Sequence, residues 1–399
     1  MFSARTALAL LLIPALLATG GCARKAKKKD YAKQLAPGEL ALREVDIREV
    51  PDLDLSAEDR EAVRSGIKYS LAFLAKPSSQ KTFHVATIGH DQVLKSLQDL
   101  DSLLASTTDN AALNAAIKSR YRAFMSVGCD DAGTVLFTGY YTPIFDGSRT
   151  ADETYKYPIY KRPADLVMTT SLEIAKQKMP DGSLRPYPDA AAIESSGMLK
   201  GQELVWMKDP YEAYLVRVQG SAKLRLKDGS TMEIGYHGTN GYPYKGIGQE
   251  LVKDGKIPAD KLSFFTMREH FRANPDDLKN YTGRNPRFIF FTEVNGGPFG
   301  SLGQKVTSDV TIATDKELFP RAAPVVVVTH LSTGEAESAK LKDAAVKPVN
   351  YVGLRLDQDT GGAIRAPGRC DLYMGEGDAN EQRAGGQYAE GKMYYLILK

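Results

Sequence analysis

The spacing of hydrophobic positions changes part-way along this chain. From Ser56 onward, Val63, Ile67 and Leu71 recur at helical intervals, and Ser56-Ala-Glu-Asp reads as an N-cap with acidic residues in the first turn. Asp91 to Leu104 carries Val93, Leu94, Leu97 and Leu100 on one stripe. Asn110 to Met125 carries Leu113, Ile117, Tyr121 and Phe124, so two further amphipathic helices are predicted. Beyond Gly133 the texture is that of strands: TVLFTGYY from Thr134 and YPIYK from Tyr157. AYLVRV from Ala213 and the run Ala222 to Leu226, ending at Asp228-Gly229, read as a hairpin with a tight turn. Gln249 to Asp254, closed by Gly255, reads as a short helix. RFIFFTEV (287–294), APVVVVT (323–329), YVGLRL (351–356), RCDLY (369–373) and MYYLIL (393–398) predict strands. The expectation is a mainly β protein with an α-helical N-terminal segment, preceded by an extended linker over residues 30–55.

The N-terminus reads as an address. Arg5 precedes an unbroken apolar run from Ala7 to Ala18, too short for the roughly 20 residues of a spanning helix, so residues 1–21 are expected to be a signal peptide. Thr19-Gly-Gly-Cys22 resembles the lipobox of bacterial lipoproteins, which implies cleavage before Cys22 and lipidation of its thiol; an ordinary cleaved signal is the alternative. Ala23 stands where the resemblance would place an Asp for inner-membrane retention, which implies the outer membrane. Acyl chains anchor without a spanning helix, so the expected location is the periplasmic face of the outer membrane. The basic run Arg24, Lys25, Lys27, Lys28 and Lys29 reads as a solvated tether.

Composition removes several function classes. The 399 residues are 43% hydrophobic and 25% charged, fractions of a globular protein of about two folded units. A net charge of +3 supplies no concentrated basic field, so no nucleic-acid partner is expected. Cys129 and Cys370 either pair in an oxidising compartment or stay as buried thiols. The five histidines (84, 90, 237, 270 and 330) are scattered without metal-ligand spacing, and there is no HExxH, GxSxG, P-loop or complete GxGxxG. Neither metal nor cofactor is expected.

What remains is a glycine-framed group of carboxylates. Asp357-Gln-Asp359-Thr-Gly-Gly-Ala-Ile-Arg365 follows a strand, and a second turn leads into Arg369-Cys-Asp371-Leu-Tyr373. Alternation puts Arg369, Asp371 and Tyr373 on one face, and an Asp in an apolar strand is costly enough to need a reason. Asp315 lies just ahead of the VVVV strand.

Asp315 with Pro320, the run Asp359-Thr-Gly-Gly-Ala-Ile-Arg and the run Arg369-Cys-Asp371-Leu-Tyr resemble the three-aspartate domain of bacterial wall-cleaving proteins. Phe137-Thr-Gly-Tyr-Tyr-Thr-Pro143, Tyr157-Pro-Ile-Tyr160, Val218-Gln-Gly-Ser221, Asn240-Gly-Tyr-Pro-Tyr-Lys-Gly-Ile-Gly248, Asn285-Pro-Arg-Phe-Ile-Phe-Phe291 and Arg383-Ala-Gly385 are similar to one subfamily, the membrane-bound lytic murein transglycosylases A. The resemblance implies a double-psi β-barrel over residues 56–142 and 241–399 (helical segment included), an inserted smaller β domain over 143–240, and a glycan groove between them. It implies a lyase that cleaves the MurNAc–GlcNAc bond of peptidoglycan to a 1,6-anhydro product. Asp371 would act as acid and then base, with Asp359 its close neighbour raising its pKa. Thr138, Tyr140, Tyr141, Gln219, Ser221 and Asn240 would contact sugars, although alternation sends Tyr140 and Tyr141 to opposite faces, and Arg383 would meet a lactyl or peptide carboxylate. Asp315 is expected to be a structural or auxiliary carboxylate. Two other readings stay open: an inverting hydrolase with Asp359 activating water, and a non-catalytic wall tether.

Overall fold

The Ser56 hydroxyl accepts from the Asp59 backbone N–H while the Asp59 carboxylate accepts from that of Ser56, and this capping box opens helix α1 (Ala57–Leu74). The structure is a computed structural model and describes residues 29–83, 88–168, 174–332 and 349–399. After the single turn α2 (Pro77–Gln80), α3 (His90–Ser106) buries Val93, Leu97, Leu100 and Leu104, and α4 (Asn110–Arg120) is capped by Asp109. The helix expected to reach Met125 stops at Arg120. Tyr121 and Ala123 are buried while Arg122 between them reaches out to Glu44, a period of two that belongs to a strand. That strand, β2 (Tyr121–Ser126), pairs antiparallel with β1 (Leu42–Val45), so the supposed linker contributes a sheet edge. Signal peptide, lipobox and Cys22 lie outside the described residues. No described helix is long and apolar enough to cross a membrane.

From β3 (Val135–Thr142) the chain passes into a second unit. It comprises β4 (Ile144–Ser148), β5 (Tyr157–Tyr160), a small sheet of β6 (Leu166–Val167), β7 (Lys176–Lys178) and β8 (Leu184–Pro186), then α5 (Ala190–Ser196) and β9 (Glu203–Met207). AYLVRV is not a strand. Asp209 accepts from the N–H groups of Tyr211 and Glu212, Pro210 takes the first helical position, and Gly220 at φ 78° ends α6 (Pro210–Gln219). The hairpin is instead β10 (Ser221–Leu226) with β11 (Thr231–Thr239) around Asp228-Gly229. Helices α7 (Ile247–Lys253), α8 (Phe264–Ala273) and α9 (Pro275–Thr282) precede β12 (Ile289–Val294), and the sheet order is β12-β11-β10-β4-β9-β5. Leu251, Phe271, Leu278 and Phe291 share one core with Val205 and Leu224. The second unit therefore extends to Val294 rather than ending at Asn240, because α7, α8, α9 and β12 bury Leu251, Met267, Phe271, Leu278 and Phe291 in its core.

The chain then returns through β13 (Thr311–Ala313), β14 (Pro324–Leu331), β15 (Val349–Asp359), β16 (Arg369–Glu376), α10 (Asp378–Gly386) and β17 (Tyr388–Leu398). Six strands close in the order β3-β17-β14-β15-β13-β16 and back to β3, with β16–β3 and β13–β15 parallel. This is the double-psi barrel the resemblance implies, and closure leaves these strands without a free edge. Helices α1 and α3 complete its core with Ile67 and Leu100 against Leu356, Val326 and Leu396. Cys129 and Cys370 are buried and unpaired.

Inside the barrel Asp357, fully buried, is ion-paired to Lys316 and accepts from Tyr395 Oη at 2.7 Å and from Thr314 Oγ1 at 2.8 Å. Burial pushes the Lys316 ammonium down and the Asp357 charge opposes it. Removing one partner strands the other charge. Asp357→Ala is expected to lower barrel stability by about 3–5 kcal/mol, read from the urea midpoint of unfolding; a change below 1 kcal/mol would contradict this role.

Candidate active site

Asp359 and Asp371 are placed by backbone register. Ala313, on the three-residue strand β13, is the Cα partner of Asp359 on one side and of Asp371 on the other. Two strand spacings put their Cα atoms roughly 10 Å apart, with only a methyl group on the strand between. On β16 the alternation runs as the sequence suggests: Cys370 and Leu372 are fully buried, while Arg369, Asp371 and Tyr373 all line a cleft of about 790 Å³. The opposite wall belongs to the second unit and includes Gln219, Ser221, Tyr236, Tyr244 and Arg287.

The two carboxylates live in different surroundings. Asp359 accepts from Tyr140 Oη through Oδ2 and from the backbone N–H groups of Ser301 and Thr360 through Oδ1, each at 2.8 Å. Burial raises its pKa, and these three donors pull against that rise. The loop bearing Ser301 reaches it because residue 300 is glycine: a Cβ there would stand 3.1 Å from Asp359 Cγ. Asp371 has fewer donors. Its Oδ1 is buried without a partner, and the Thr138 hydroxyl beside it gives its charged form some support. Its pKa is pushed up to about 6, first by burial; Arg369 opposes the shift, and Asp359 adds the smallest contribution. The expected cause was the neighbouring carboxylate. The intervening strand makes that repulsion minor, so desolvation dominates.

Of the proposed sugar contacts, Thr138, Tyr140, Gln219 and Ser221 line the cleft. Thr138 Oγ1 accepts from Arg369 at 3.1 Å, and Gln219 Oε1 accepts from the Tyr141 backbone, leaving its amide nitrogen unengaged. Three others do not reach it. Tyr141, 1% exposed, turns into the core against Phe264, because its neighbour Tyr140 takes the cleft face. Asn240 is fully buried and spends its amide on the Pro188 and Pro286 carbonyls and the Phe288 N–H. Arg383 grips Asp309 at 2.7 and 3.1 Å and the Met374 carbonyl at 3.1 Å, tying α10 to the barrel.

Asp315 is buried, outside the cleft lining, and accepts from the Ala366 N–H at 3.1 Å and from Arg365 at 3.4 Å. Ala366 sits at φ 75°, a region an L-residue with a side chain rarely adopts. Asp315 thus holds the strained turn that delivers β16 and Asp371. Residues not assigned to the site from the sequence are Arg287, Arg365 and the apolar Tyr236, Phe299 and Met168, all lining the cleft, the last three 47%, 38% and 37% exposed. Their signal, an aromatic within Gly-Gly-Pro-Phe-Gly and an Arg in a strand-leading Asn-Pro-Arg, has meaning only once both units are assembled. No cluster of three or more metal-ligating side chains occurs among the described residues.

Residues 136–292 match the MltA specific insert domain, and residues 310–397 match the 3D domain. The membrane-bound lytic murein transglycosylase A of Vibrio cholerae is 26% identical over 276 residues, 68% of this chain and 68% of its own length. That of Escherichia coli K12 is 24% identical over 277 residues, 69% and 68% of the two chains. Among solved structures, a membrane-bound lytic murein transglycosylase from Agrobacterium tumefaciens aligns with a TM-score of 0.72 at 23% identity, covering 90% of this chain and 98% of that one. Escherichia coli MltA with bound chitohexaose aligns with a TM-score of 0.67 at 20% identity over 93% and 96%.

A carboxyl group whose pKa rises on folding costs stability as the pH climbs between its unfolded value, 3.8, and its folded value, about 6. Asn at 371 has no such cost. The melting temperature of Asp371→Asn, relative to the unsubstituted protein, is expected to rise from pH 4 to pH 6 and level off above; a variant that loses its folded transition would make Asp371 a structural residue instead.

Proposed function

This chain belongs to the membrane-bound lytic murein transglycosylase A family, and from that premise we propose how its cleft cleaves peptidoglycan. The protein is a lytic transglycosylase acting on the glycan strands of murein. Asp371, protonated because burial disfavours its charge, donates to the glycosidic oxygen between N-acetylmuramic acid and N-acetylglucosamine. The C1–O bond breaks with oxocarbenium character at the muramoyl anomeric carbon. Now a carboxylate, Asp371 takes the proton of the muramoyl C6 hydroxyl, whose oxygen closes on C1 to give the 1,6-anhydro sugar. One residue serves both steps because the nucleophile comes from the substrate. Asp359, gripped by three donors, keeps its place and supplies negative charge toward the developing cation. Thr138, Tyr140, Gln219 and Ser221 offer hydrogen bonds or a ring face to the sugars. The observation that carries this reading is the unpartnered, buried Asp371 Oδ1 in a cleft otherwise furnished for a polar polymer.

Anchoring extends the same reading. The relatives are named membrane-bound, no described helix spans a bilayer, and Cys22 sits in a lipobox-like sequence. A lipidated Cys22 would hold the enzyme on the periplasmic face of the outer membrane.

Asp371→Asn is expected to reduce release of anhydro-muropeptides from purified sacculi by about 10²–10⁴-fold while retaining sacculus binding. For the unsubstituted enzyme, kcat/KM should fall as the pH rises above about 6, since the acid form is required in the first step. Mass spectrometry of the products decides: reducing muramic ends without anhydro sugar would overturn the lyase reading in favour of hydrolysis, and undiminished clearing by Asp371→Asn would remove Asp371 from the mechanism. Cys22→Ser is expected to move the protein from the membrane fraction to the soluble fraction; its retention in the membrane would refute the lipid anchor.

A further inference from the structure

The cleft holds more positive charge than its own acids neutralise. Arg217 is paired with Glu194, and Arg369 faces Asp371, whose charged form it favours, with Nη2 donated to Thr138 and its buried Nε without a partner. Arg287 is different. Its guanidinium is largely enclosed, makes one hydrogen bond (Nη1 to the Tyr242 carbonyl, 3.0 Å), and has no carboxylate within ion-pair distance among the described residues. Gly362 backs it so closely that a Cβ there would stand 3.1 Å from Nε and 3.3 Å from Cζ. Arg365 lies near enough to repel it and, among the described residues, is itself held by the 3.4 Å contact to Asp315. Burial and Arg365 both push the Arg287 pKa down, the direction of a buried cation lacking a counter-charge. The exposed Tyr236, from β11, completes this part of the lining.

A desolvated guanidinium with donors unspent, beside a second cation and open to a ligand cleft, is a carboxylate receptor lacking its carboxylate. On a murein strand the sugars themselves are neutral. The acid groups belong to the muramoyl substituent: the lactyl carboxylate where the strand is bare, or the carboxylates of the stem peptide where the lactyl group is amidated. We propose that Arg287, supported by Arg365, binds the carboxylate of the muramoyl substituent and so sets the register of muramoyl and glucosaminyl residues along the cleft. This role was expected of Arg383, which the structure commits to Asp309. The inference rests on the murein reading above.

The test varies ligand charge and receptor charge together. Affinities are measured in an Asp371→Asn background, so that nothing turns over, for muramoyl-containing tetrasaccharides with a free lactyl carboxylate and for the same compounds as the methyl amide. A second arm uses stem-peptide-bearing oligosaccharides with free or amidated peptide carboxylates. With Arg287 intact, the charged form should bind about tenfold or more tightly than its neutral partner in at least one arm. Arg287→Gln should reduce that ratio to near one, and Arg287→Lys should restore part of it. A ratio collapsing only in the first arm assigns the lactyl group as the source, and one collapsing only in the second assigns the peptide. Equal binding of charged and neutral ligands with Arg287 intact overturns the proposal without involving any variant's folding, and so does a ratio that survives Arg287→Gln. In either case, anhydro products from the unsubstituted enzyme would leave the murein reading standing. Absence of those products together with absence of binding would sink both.

Discussion

The register of one short strand governs this site. Ala313 sits between Asp359 and Asp371 in the barrel sheet, so both carboxylates emerge on either side of it at a spacing set by backbone hydrogen bonds. Much of the surroundings preserves that register. Asp315, two residues on, holds the strained Ala366 turn that leads into β16. The buried Asp357–Lys316–Tyr395 cluster pins β15 and β17 to the segment after β13. Because a slip of one residue would turn every side chain to the opposite face, such a site tolerates little looseness in its strands.

With register set, environment divides the labour between two chemically identical side chains. Asp359 receives three hydrogen bonds and Asp371 receives few, with one oxygen left bare. A carboxyl group deprived of donors and water keeps its proton to higher pH, and one supplied with donors resists that rise. The unequal supply comes from the glycine-rich loop around Ser301 and from Tyr140, both of which serve Asp359. The same logic applies to the arginines. Arg383 and Arg217 have acid partners, whereas Arg287 has none among the described residues, so its charge is left for a ligand.

Alternation, capping and the apolar runs made most barrel strands and α1, α3 and α7 legible in the sequence, and with them the facing of Arg369, Asp371 and Tyr373. Local pattern failed where two readings share the same residues. Ala213 to Val218 is apolar enough for a strand, and Asp209, Pro210 and Gly220 decide for helix. Tyr121 to Met125 continues a helical stripe and is nevertheless a strand, because β1 and β17 offer it partners. The extent of the second unit was hidden because α7–α9 and β12 follow a motif shared with the groove and are claimed by the second core only through packing.

By itself, then, the sequence carried the family resemblance, most of the barrel's strands and the aspartate that stands alone in an apolar β-strand, because these depend on residues adjacent or alternating along the chain. Tertiary structure decided which polar side chains remain free for a substrate. Tyr141, Asn240 and Arg383 carry the same functional groups as residues that line the cleft, yet each is consumed by the core, by backbone carbonyls or by Asp309. A hydrogen-bonding group satisfied inside the fold has little left to offer a ligand, and whether it is satisfied depends on neighbours distant in sequence.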